Sequence, residues 1–380
     1  MRTVTLFLAG DVMTGRGIDQ ILPQPSAPEL FESHVRDARE YVLLAEELSG
    51  PIPRGVSPGY VWGDALSELR RAEPHVRVVN LETSITRSDD AAPWKGIHYR
   101  MHPDNVACLT ALELDVCALA NNHVLDWGER GLLETLDVLD AARLRVAGAG
   151  RTAEEATRPA VVSVPDGGRV LVLGMAHASS GVPPAWAASP TAPGVWLLDD
   201  LSEDTAAAVG ELARRAKRPG DVVVASVHWG SNWGYAIATS QVRFAHALVD
   251  SGIDVVHGHS SHHPRSLERY DGRLILYGCG DLLTDYEGIA GHEEFRGDLA
   301  LMYLPEIDPT TGRLVRLRAV PLHLSRMRLE RARPEDVMWL ADRLGRVSRP
   351  FGADVVVAGE GGVLELAPEP VRAQVPRAVT

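Results

Sequence analysis

Apolar residues in this chain are grouped into short runs that end abruptly in polar residues. Each run is rich in Val, Leu and Ala, is short enough for one buried strand, and is flanked by Gly, Pro or charged residues. The runs are TVTLFLAGD, HVRVVNLE, DVCALANNH, DVVVASVHWG and DVVHGHSSHH. Stretches with helical spacing separate them, so the order of elements predicts an α/β fold.

The helical stretches are recognised by apolar residues that recur every three or four positions. In residues 128–142, for example, Leu132, Leu136 and Leu139 fall on one face. The other predicted helices before the last histidine-rich run are residues 27–48, 60–71, 102–113, 201–217 and 240–251.

After that run the pattern changes. RLILYGCGD, DLALMYLPEI and GRLVRLRAVPLHL predict three consecutive strands, joined by turns that contain Asp-Gly or Thr-Gly. Two packed sheets with helices outside accommodate this order. Residues 334–347 predict a late amphipathic helix, and the last dozen or so residues predict a loose tail. We expect one domain over residues 1–330, with the helix and tail of 331–380 packed on it.

The polar residues at the ends of the five runs are types that bind metals or transfer protons. Ligands of open α/β sheets bind beyond the carboxyl ends of the strands, so these side chains should converge. Carboxylate, amide and imidazole groups together predict a divalent metal site. The residues concerned are Asp11, Asn80, Glu82, Asn122, His123, His228, His257, His259, His262 and His263.

Each position has an alternative interpretation. Asp11 could cap a helix instead of binding a metal. Asn80 and Glu82 share one strand face because alternate residues point the same way; Glu82 is the better ligand, and Asn80 could brace the loop or contact a substrate. His228, taken alone, could be a satisfied core histidine.

Asn122 and His123 pair a metal-binding amide with a general acid or base. Asp126, three residues further on, would orient the imidazole of His123 and raise its pKa. The alternative is an Asn/Asp turn with a solvated histidine.

The HGHSSHH segment places four histidines within seven residues. Four such imidazoles cannot all be buried without partners, which favours metal binding. Which of them bind a metal stays open; His257, His259 and His262 are the candidates.

Substrate-binding candidates are aromatic and basic residues in loops near these strand ends, although packing or solvated positions would look the same. Asp281 and Asp285, after LILYGCG, could reach the site or cap the turn. The substrate candidates are Arg16, Trp94, Lys95, Trp229 and Trp233, with Tyr99, Arg100, Trp186, Trp196 and Tyr235 nearby.

The net charge narrows the possible partners. With 38 basic and 51 acidic residues it is −13, which argues against nucleic acid, since phosphate backbones are held by clustered Lys and Arg. An anionic substrate would need a metal, or arginines such as Arg16 and Arg265.

Cysteines and targeting signals bear on location. The three cysteines, an odd number in apolar segments, are expected to be free buried thiols. The chain starts directly with a strand, without a signal peptide, and no apolar stretch is long enough to span a membrane. We therefore expect a cytoplasmic protein with no membrane partner.

GDVMTGRG, NLE, ANNHVLDWG, VHWG and the histidine cluster followed by ILYGCGD resemble the CapA family, named for poly-γ-glutamate capsule synthesis. That family belongs to the calcineurin-like metallophosphoesterase superfamily. The resemblance runs from about residue 5 to residue 286 and implies a four-layer α/β/β/α sandwich with one or two divalent ions, often manganese. It implies ligand roles for Asp11, Glu82, Asn122, His228 and the histidine cluster, and acid–base chemistry at His123.

The chain departs from the superfamily pattern at two places. The usual Asp-x-His opening has Met13 at its third position, which predicts that one ligand of a two-metal pair is absent. In the terminal motif, Ser260 replaces a histidine. Phosphoester hydrolysis by two metals needs both ions, so these departures weaken a phosphatase assignment.

Three functions are consistent with these residues. The first is metal-assisted epimerisation at the Cα of a peptide, resembling the lasso-peptide epimerases of CapA-like proteins that act on a precursor peptide. The second is hydrolysis of phosphoester or γ-glutamyl amide bonds. The third is a metal-stabilised binding protein for capsule assembly. We favour the first, with Asp11, His123 and Asp126 as its catalytic residues.

Overall fold

A computed structural model of the protein describes residues 3–165, 168–358 and 362–367. The Val- and Leu-rich runs form strands because branched side chains pack well on a pleated surface. The strands are β1 (Val4–Val12), β2 (Val76–Leu81), β3 (Ser84–Ile85), β4 (Arg100–Met101), β5 (Val116–Ala118), β6 (Arg145–Ala147), β7 (Ala149–Gly150), β8 (Ala160–Ser163), β9 (Arg169–His177), β10 (Gly194–Val195), β11 (Leu197–Leu198), β12 (Val222–His228), β13 (Val255–His259), β14 (Leu267–Tyr270), β15 (Arg273–Leu276), β16 (Asp281–Leu283), β17 (Leu299–Ile307), β18 (Leu314–Ser325), β19 (Arg328–Arg331), β20 (Val355–Ala358) and β21 (Val363–Leu366). The helices are α1 (Arg16–Ile21), α2 (Arg39–Ser49), α3 (Ala65–Ala72), α4 (Ala107–Ala111), α5 (Gly128–Ala141), α6 (Ala153–Thr157), α7 (Glu203–Ala216), α8 (Thr239–Asp250) and α9 (Pro334–Ser348).

Two large sheets form the centre of the fold. The first has the order β20-β21-β18-β17-β1-β2-β5-β6, with β16 paired to β1 and β19 paired to β18. Its half from β1 to β6 is parallel, and its half from β17 onward is antiparallel. The second sheet has the order β11-β9-β12-β13-β15-β14, with β8 paired to β9, and is parallel except at β8 and β14.

Three buried clusters define four layers. Leu6 and Val78 of the first sheet pack with Val172 and Val224 of the second, so the two sheets lie face to face. The outer face of the first sheet packs on α1–α5, and the outer face of the second packs on α7 and α8. This confirms the predicted α/β/β/α sandwich.

Helix α9 closes one side of the sandwich. Its apolar residues Val337, Leu340 and Leu344 belong to the cluster between the sheets. The helix contacts β14 of the second sheet as well as β18, β20 and β21 of the first. The predicted helix over residues 334–347 is confirmed, whereas the predicted tail lies mostly outside the described residues.

Three predicted helices are wrong at their starts or interrupted. Residues 27–38 are not helical; Pro28 lies there, and backbone bonds such as Ala38 N to Pro28 O close a loop instead. Residues 60–64 form turns before α3. The 102–113 stretch is divided into a 3₁₀ turn at Pro103–Asn105 and the short α4. Pro28 and Pro103 are compatible with a turn or with a first helical position, but not with the interior of a helix.

The three consecutive strands predicted after the histidine cluster are also wrong in part. RLIL forms β15, which is parallel to β13 in the second sheet, whereas β17 and β18 pair antiparallel in the first. The chain changes sheets at GCGD, where β16 joins β1. Periodicity reports that a segment is a strand, but the sheet it joins depends on distant partners.

Two smaller expectations also have an outcome. All three cysteines are buried and free, as predicted. Among the described residues, no helix has the length and apolar composition to cross a membrane.

Candidate metal centre

Four strand ends meet at one edge of the sandwich. Asp11 of β1 lies opposite Asn80 of β2 in the first sheet, and His228 of β12 lies opposite His259 of β13 in the second. Parallel pairing brings each pair to the same level, and face-to-face packing brings the two pairs together. All four residues are buried.

The convergence creates two sets of three metal-binding groups that share one carboxylate. Asp11, His228 and His259 each offer a ligand atom, and these atoms lie within 4.8 Å of one another. Asp11 meets the same criterion with His262 and Asp281. Asp281 reaches this position because β16 pairs with β1 in register, Asp281 opposite Asp11.

The individual distances are short. The Nδ1 atoms of His228 and His259 are 2.9 Å apart, and His259 Nδ1 is 3.9 Å from Asp11 Oδ1. In the second set, His262 Nδ1 is 3.0 Å from Asp281 Oδ1. The described residues thus offer two adjacent sets of donors, and Met13 belongs to neither.

Asn80 holds the carboxylates in place. Its amide nitrogen lies 2.7 Å from Asp11 Oδ1 and 3.0 Å from Glu82 Oε2, donating to both. Its amide oxygen accepts from Asn121 Nδ2 at 3.0 Å. This placement matches the bracing role considered for Asn80.

Glu82 and Asn122 lie next to the first set. Glu82 Oε1 is 3.9 Å from His228 Nε2, and Asn122 Oδ1 is 3.1 Å from the same nitrogen. Both residues adjoin the predicted site, although neither belongs to the two three-residue donor sets.

The electrostatics of the cluster fit a cation. Burial, followed by repulsion from Asp281, raises the pKa of Asp11 to about 7. Burial and then Asp11 raise the pKa of Glu82. Burial lowers the pKa of His228 and of His259, so both imidazoles are neutral, which is the form that binds metals.

A second observation points the same way. The Oδ2 atom of Asp281 is buried and lacks a hydrogen-bond partner. A buried polar atom without a partner is costly, and a divalent cation would satisfy it while removing the repulsion between the carboxylates. The nitrogen and oxygen donors fit a divalent metal of the manganese-to-zinc group. Manganese itself stays a prediction.

His123 lies on the edge of the cluster in an acid–base arrangement. Its Nδ1 is 2.7 Å from Asp126 Oδ2, and its Nε2 is 3.8 Å from Glu82 Oε1. Lys95 contacts Asp126 and the carbonyl of Asn122, and its Nζ is 3.1 Å from His123 Nδ1.

The pKa of His123 differs from the expectation. Burial lowers the pKa of His123 to about 4. Asp126 raises this pKa, as predicted, but burial and the nearby charge of Lys95 together outweigh it. His123 is therefore neutral near pH 7. A proton on Nδ1, donated to Asp126, leaves Nε2 as an acceptor on the side of Glu82.

Two predicted cluster histidines lie elsewhere. His257 points between the sheets, where its Nε2 is 2.9 Å from Ala9 O and its Nδ1 is 3.1 Å from Ser226 Oγ. His263 stacks on Phe295, with ring centres 4.6 Å apart. Neither belongs to a three-donor set among the described residues.

The predicted substrate residues are divided between the rim and the core. Trp233 is at the rim, 5.4 Å from the His262 ring and stacked on His292 at 3.9 Å. Trp94 is fully exposed. Trp229 is buried, and its indole N–H donates to Tyr277 O at 3.0 Å.

Arg16 is not available to an anionic substrate. Its guanidinium is buried in ion pairs with Asp285, at 2.5 Å, and Glu32, at 2.9 Å. Arg265 is also buried, and its Nη2 donates to Ser231 O at 2.6 Å. Neither arginine is therefore positioned to bind an anionic substrate directly.

Asp281 is the site residue to which sequence reasoning gave least weight. A signal was present, because Asp281 follows Gly280 after an apolar run, just as Asp11 follows Gly10. Asn121 was also passed over as a positioning residue, although it adjoins Asn122 and His123.

Comparison with known proteins gives a consistent result. The profile of the family described as bacterial capsule synthesis protein PGA_cap matches residues 5–286. A probable polyglutamine synthesis accessory protein of Mycobacterium tuberculosis is 51% identical over 366 residues, 96% of each chain. The PGA biosynthesis protein CapA of Bacillus subtilis is 27% identical over 277 residues, 73% of this chain and 62% of that protein.

Among solved structures, a phosphatase from Mycoplasma pneumoniae aligns over 89% of this chain and 97% of its own, with a TM-score of 0.45 and 11% identity. The matched range of the family profile begins in β1, ends just after β16, and so includes both donor sets. The chain belongs to the bacterial capsule synthesis protein PGA_cap family, the CapA family.

Proposed function

We propose that this protein is a divalent-metal-dependent hydrolase that cleaves amide bonds in a glutamate-rich peptide polymer. The observation that carries the proposal is the pair of buried donor sets that share Asp11. The names of the relatives, polyglutamine synthesis accessory protein and PGA biosynthesis protein, supply the substrate class.

The donor sets change the balance between the functions considered from sequence. Met13, at the position of the usual superfamily histidine, predicted that one ligand of a two-metal pair is absent. Asp281 and His262 lie together with Asp11, so this chain has a second set of donors without that histidine. Two adjacent cations favour hydrolysis, because both the attacking and the leaving atoms need stabilisation.

The chain's own residues supply the remaining chemistry. Asp11, His228, His259, His262 and Asp281 would hold the cations, which when bound lower the pKa of water and polarise a carbonyl. His123 is neutral, with Nε2 free to accept a proton from water and return it to the leaving nitrogen. Asp126 keeps the imidazole oriented through the 2.7 Å contact.

The test is turnover of defined polymers. Protein loaded with manganese, zinc or magnesium is incubated with poly-γ-glutamate and with poly-α-glutamate, and new amino groups and chain length are measured. Metal-dependent shortening of either polymer supports the proposal. Absence of cleavage with every metal, in protein shown to contain the metal, would overturn it.

Phosphoester cleavage is distinguished in the same experiment. A generic phosphodiester is offered to the same metal-loaded protein. Faster turnover of the phosphodiester than of either polymer would assign the two-cation site to phosphoester hydrolysis instead.

Epimerisation at a peptide Cα is the second candidate, supported by the arrangement of two histidines. His123 is neutral, whereas Asp281 and Asp11 raise the pKa of His262 against the effect of burial. In this case only Asp11, His228 and His259 would hold a cation, which leaves His262 without a metal. His123 can then accept a proton and His262 can donate one, which is what inversion at Cα requires.

Deuterium exchange separates epimerisation from hydrolysis. In deuterated water, epimerisation of a peptide adds one deuterium at Cα and leaves the peptide bond intact, whereas hydrolysis cleaves the chain. A precursor peptide encoded beside the gene is the substrate to offer first. Exchange without cleavage would establish the isomerase, and cleavage without exchange would exclude it.

A further inference from the structure

A second candidate binding region lies along the edge of the sandwich. It is a groove of about 760 Å³ between α5, β6, β7, α6 and β8. None of the residues in the two metal-donor sets lines it. The groove is therefore a separate feature of the surface.

The groove concentrates positive charge in an acidic protein. Arg143, Arg145, Arg151 and Arg158 line it, and the acidic residues in its lining are Asp140 and Glu155. The lining thus carries four positive charges against two negative ones, whereas the whole chain carries −13. A local field of this sign attracts anions.

Two of the arginines are available to a ligand. Arg143 and Arg145 are exposed, and within the described part of the chain neither has an ion-pair partner within 4 Å; Arg145 interacts at longer range with Asp115. Arg158 has an exposed ion pair with Glu154 at 3.0 Å. Exposed pairs of this kind contribute little and exchange readily for another carboxylate.

The strand at the groove favours an extended ligand. On its inner side β6 is held by Arg145 N, which donates to Asp115 O, and by Ala147 O, which accepts from Leu119 N. Backbone groups alternate sides along a strand, so the amide and carbonyl of Val146 point away from β5. Val146 lines the groove, where an extended peptide could pair with it.

The groove is connected to the rim of the metal centre. Gly150, in its lining, pairs with Gly194, and Val195 bridges to Ala187. Next to Ala187, the ring of Trp186 lies 5.0 Å from Lys95 Nζ, which contacts Asp126. These contacts connect the wall of the groove to the His123 side of the site.

We propose that this groove binds an extended, carboxylate-rich polypeptide. The groove holds one part of the bound polypeptide while another part of that polypeptide reaches the metal centre. Guanidinium groups recognise carboxylates through paired hydrogen bonds, and repeated carboxylates engage several arginines at once. That the bound polymer is also the substrate rests on the proposed function; the binding itself does not.

Binding is measured on metal-free protein so that turnover plays no part. Fluorescein-labelled poly-α-glutamate, whose backbone has the spacing needed to pair with Val146, is titrated at 0.15 M salt, and affinity is read from anisotropy. The double variant R143A/R145A should bind about tenfold more weakly, since each exposed charge pair contributes up to roughly 1 kcal/mol and 1.4 kcal/mol is tenfold. R214A/R215A, two exposed arginines on α7 with the same charge change, should bind like the wild type.

The outcomes separate this inference from the proposed function. If R143A/R145A and the wild type bind the polymer with equal affinity, the proposal that the groove binds it is overturned. Polyphosphate that binds as tightly, and with the same dependence on Arg143 and Arg145, would overturn the peptide assignment. If H123A binds the polymer normally but does not cleave it, both proposals hold; if wild type binds through the groove but cleaves nothing, only the proposed function fails.

Discussion

Asp11 is the residue on which the candidate centre depends most. Its carboxylate is common to both donor sets, accepts from Asn80, and has its second oxygen 3.2 Å from the amide of Ser260. Asp281 competes with it electrostatically and raises its pKa, an arrangement that a cation would reverse. Removing either carboxylate should therefore change metal binding before it changes the fold.

Asp281→Asn tests the second donor set. We expect the variant to bind one ion per chain fewer than the wild type, because an amide oxygen lacks the charge that holds a divalent cation beside Asp11. Metal content after dialysis, measured by plasma mass spectrometry, gives the count. Asp342→Asn, on the exposed face of α9, is the matched control and should leave the count unchanged. Equal counts in both variants would contradict a ligand role for Asp281.

His123→Ala tests the acid–base role. Turnover should fall by about 10²-fold, the usual contribution of a general acid or base, while metal content stays the same. His177→Ala removes a half-buried imidazole that contacts Ser179 near the same edge, and should retain turnover. A His123 variant with normal turnover would contradict an acid–base role for His123 in either enzyme.

Strand β1 controls the centre through its close approach to the segment before β16. A Cβ built on Gly10 would lie 1.9 Å from Gly280 O and 3.1 Å from Cys279 Cβ. Because the first obstacle is backbone, a larger residue can be accommodated only if the strands move apart. The register of β1 is irregular at this point, between Asp11 and Val12 in the pairing with β16. Gly10 thus sets the distance between Asp11 and Asp281.

Gly10→Ala should therefore damage both stability and metal binding. We expect a loss of about 1–3 kcal/mol in the free energy of unfolding, the usual cost of overpacking, together with weaker binding at the second donor set. Urea unfolding and metal titration measure the two effects. Gly297→Ala, where an added Cβ meets nothing within 4 Å, should change neither.

Helix α9 offers a separate test of how the sandwich is closed. Leu340 is buried in the cluster between the sheets, whereas Met338 on the same helix is 60% exposed. Leu340→Ala should reduce the free energy of unfolding by about 2–5 kcal/mol through lost burial and the cavity left behind. Met338→Ala should stay within about 0.5 kcal/mol of the wild type. Similar losses in both variants would contradict the closing role of α9.

In the molecule as a whole, the donor sets join the two sheets. Asp11 comes from the first sheet and His228 and His259 come from the second, so a cation bound by all three would hold the sheets together. Because such a ligand binds only the folded form, it adds to stability by mass action.

Thermal unfolding with and without metal measures this linkage. At a free metal concentration of about 100 times its Kd, the free energy of unfolding should rise by about 2.7 kcal/mol, and chelation should remove the gain. In His259→Asn most of this metal-induced increase should disappear, whatever the stability of the metal-free variant. An unchanged increase would place the cation elsewhere.

The local pattern of apolar and polar residues was sufficient to predict a large part of the fold. Helices α5, α7, α8 and α9 lie where the apolar spacing predicted them, with each boundary within two residues of its predicted position. Within each sheet the site residues are neighbours because parallel strands end at one edge, Asp11 beside Asn80 and His228 beside His259. That the two pairs meet depends on the packing of the two sheets, which the local pattern does not contain. The prediction for residues 27–38 failed because Pro28 and the backbone bond from Ala38 N to Pro28 O favour a loop over a weak helical pattern.

What the sequence by itself determined is the main strands that carry the site, the four helices α5, α7, α8 and α9, and the chemical character of the site. Only the tertiary structure decided that β15 and β16 belong to different sheets, that Asp281 faces Asp11, and that Arg16 and Trp229 are withdrawn into the interior. The reason is physical: period and residue type act over a few positions, whereas sheet membership and side-chain pairing depend on which distant surfaces are buried together. The arginine groove beside β6 has the same origin, since its walls come from three sheets and two helices.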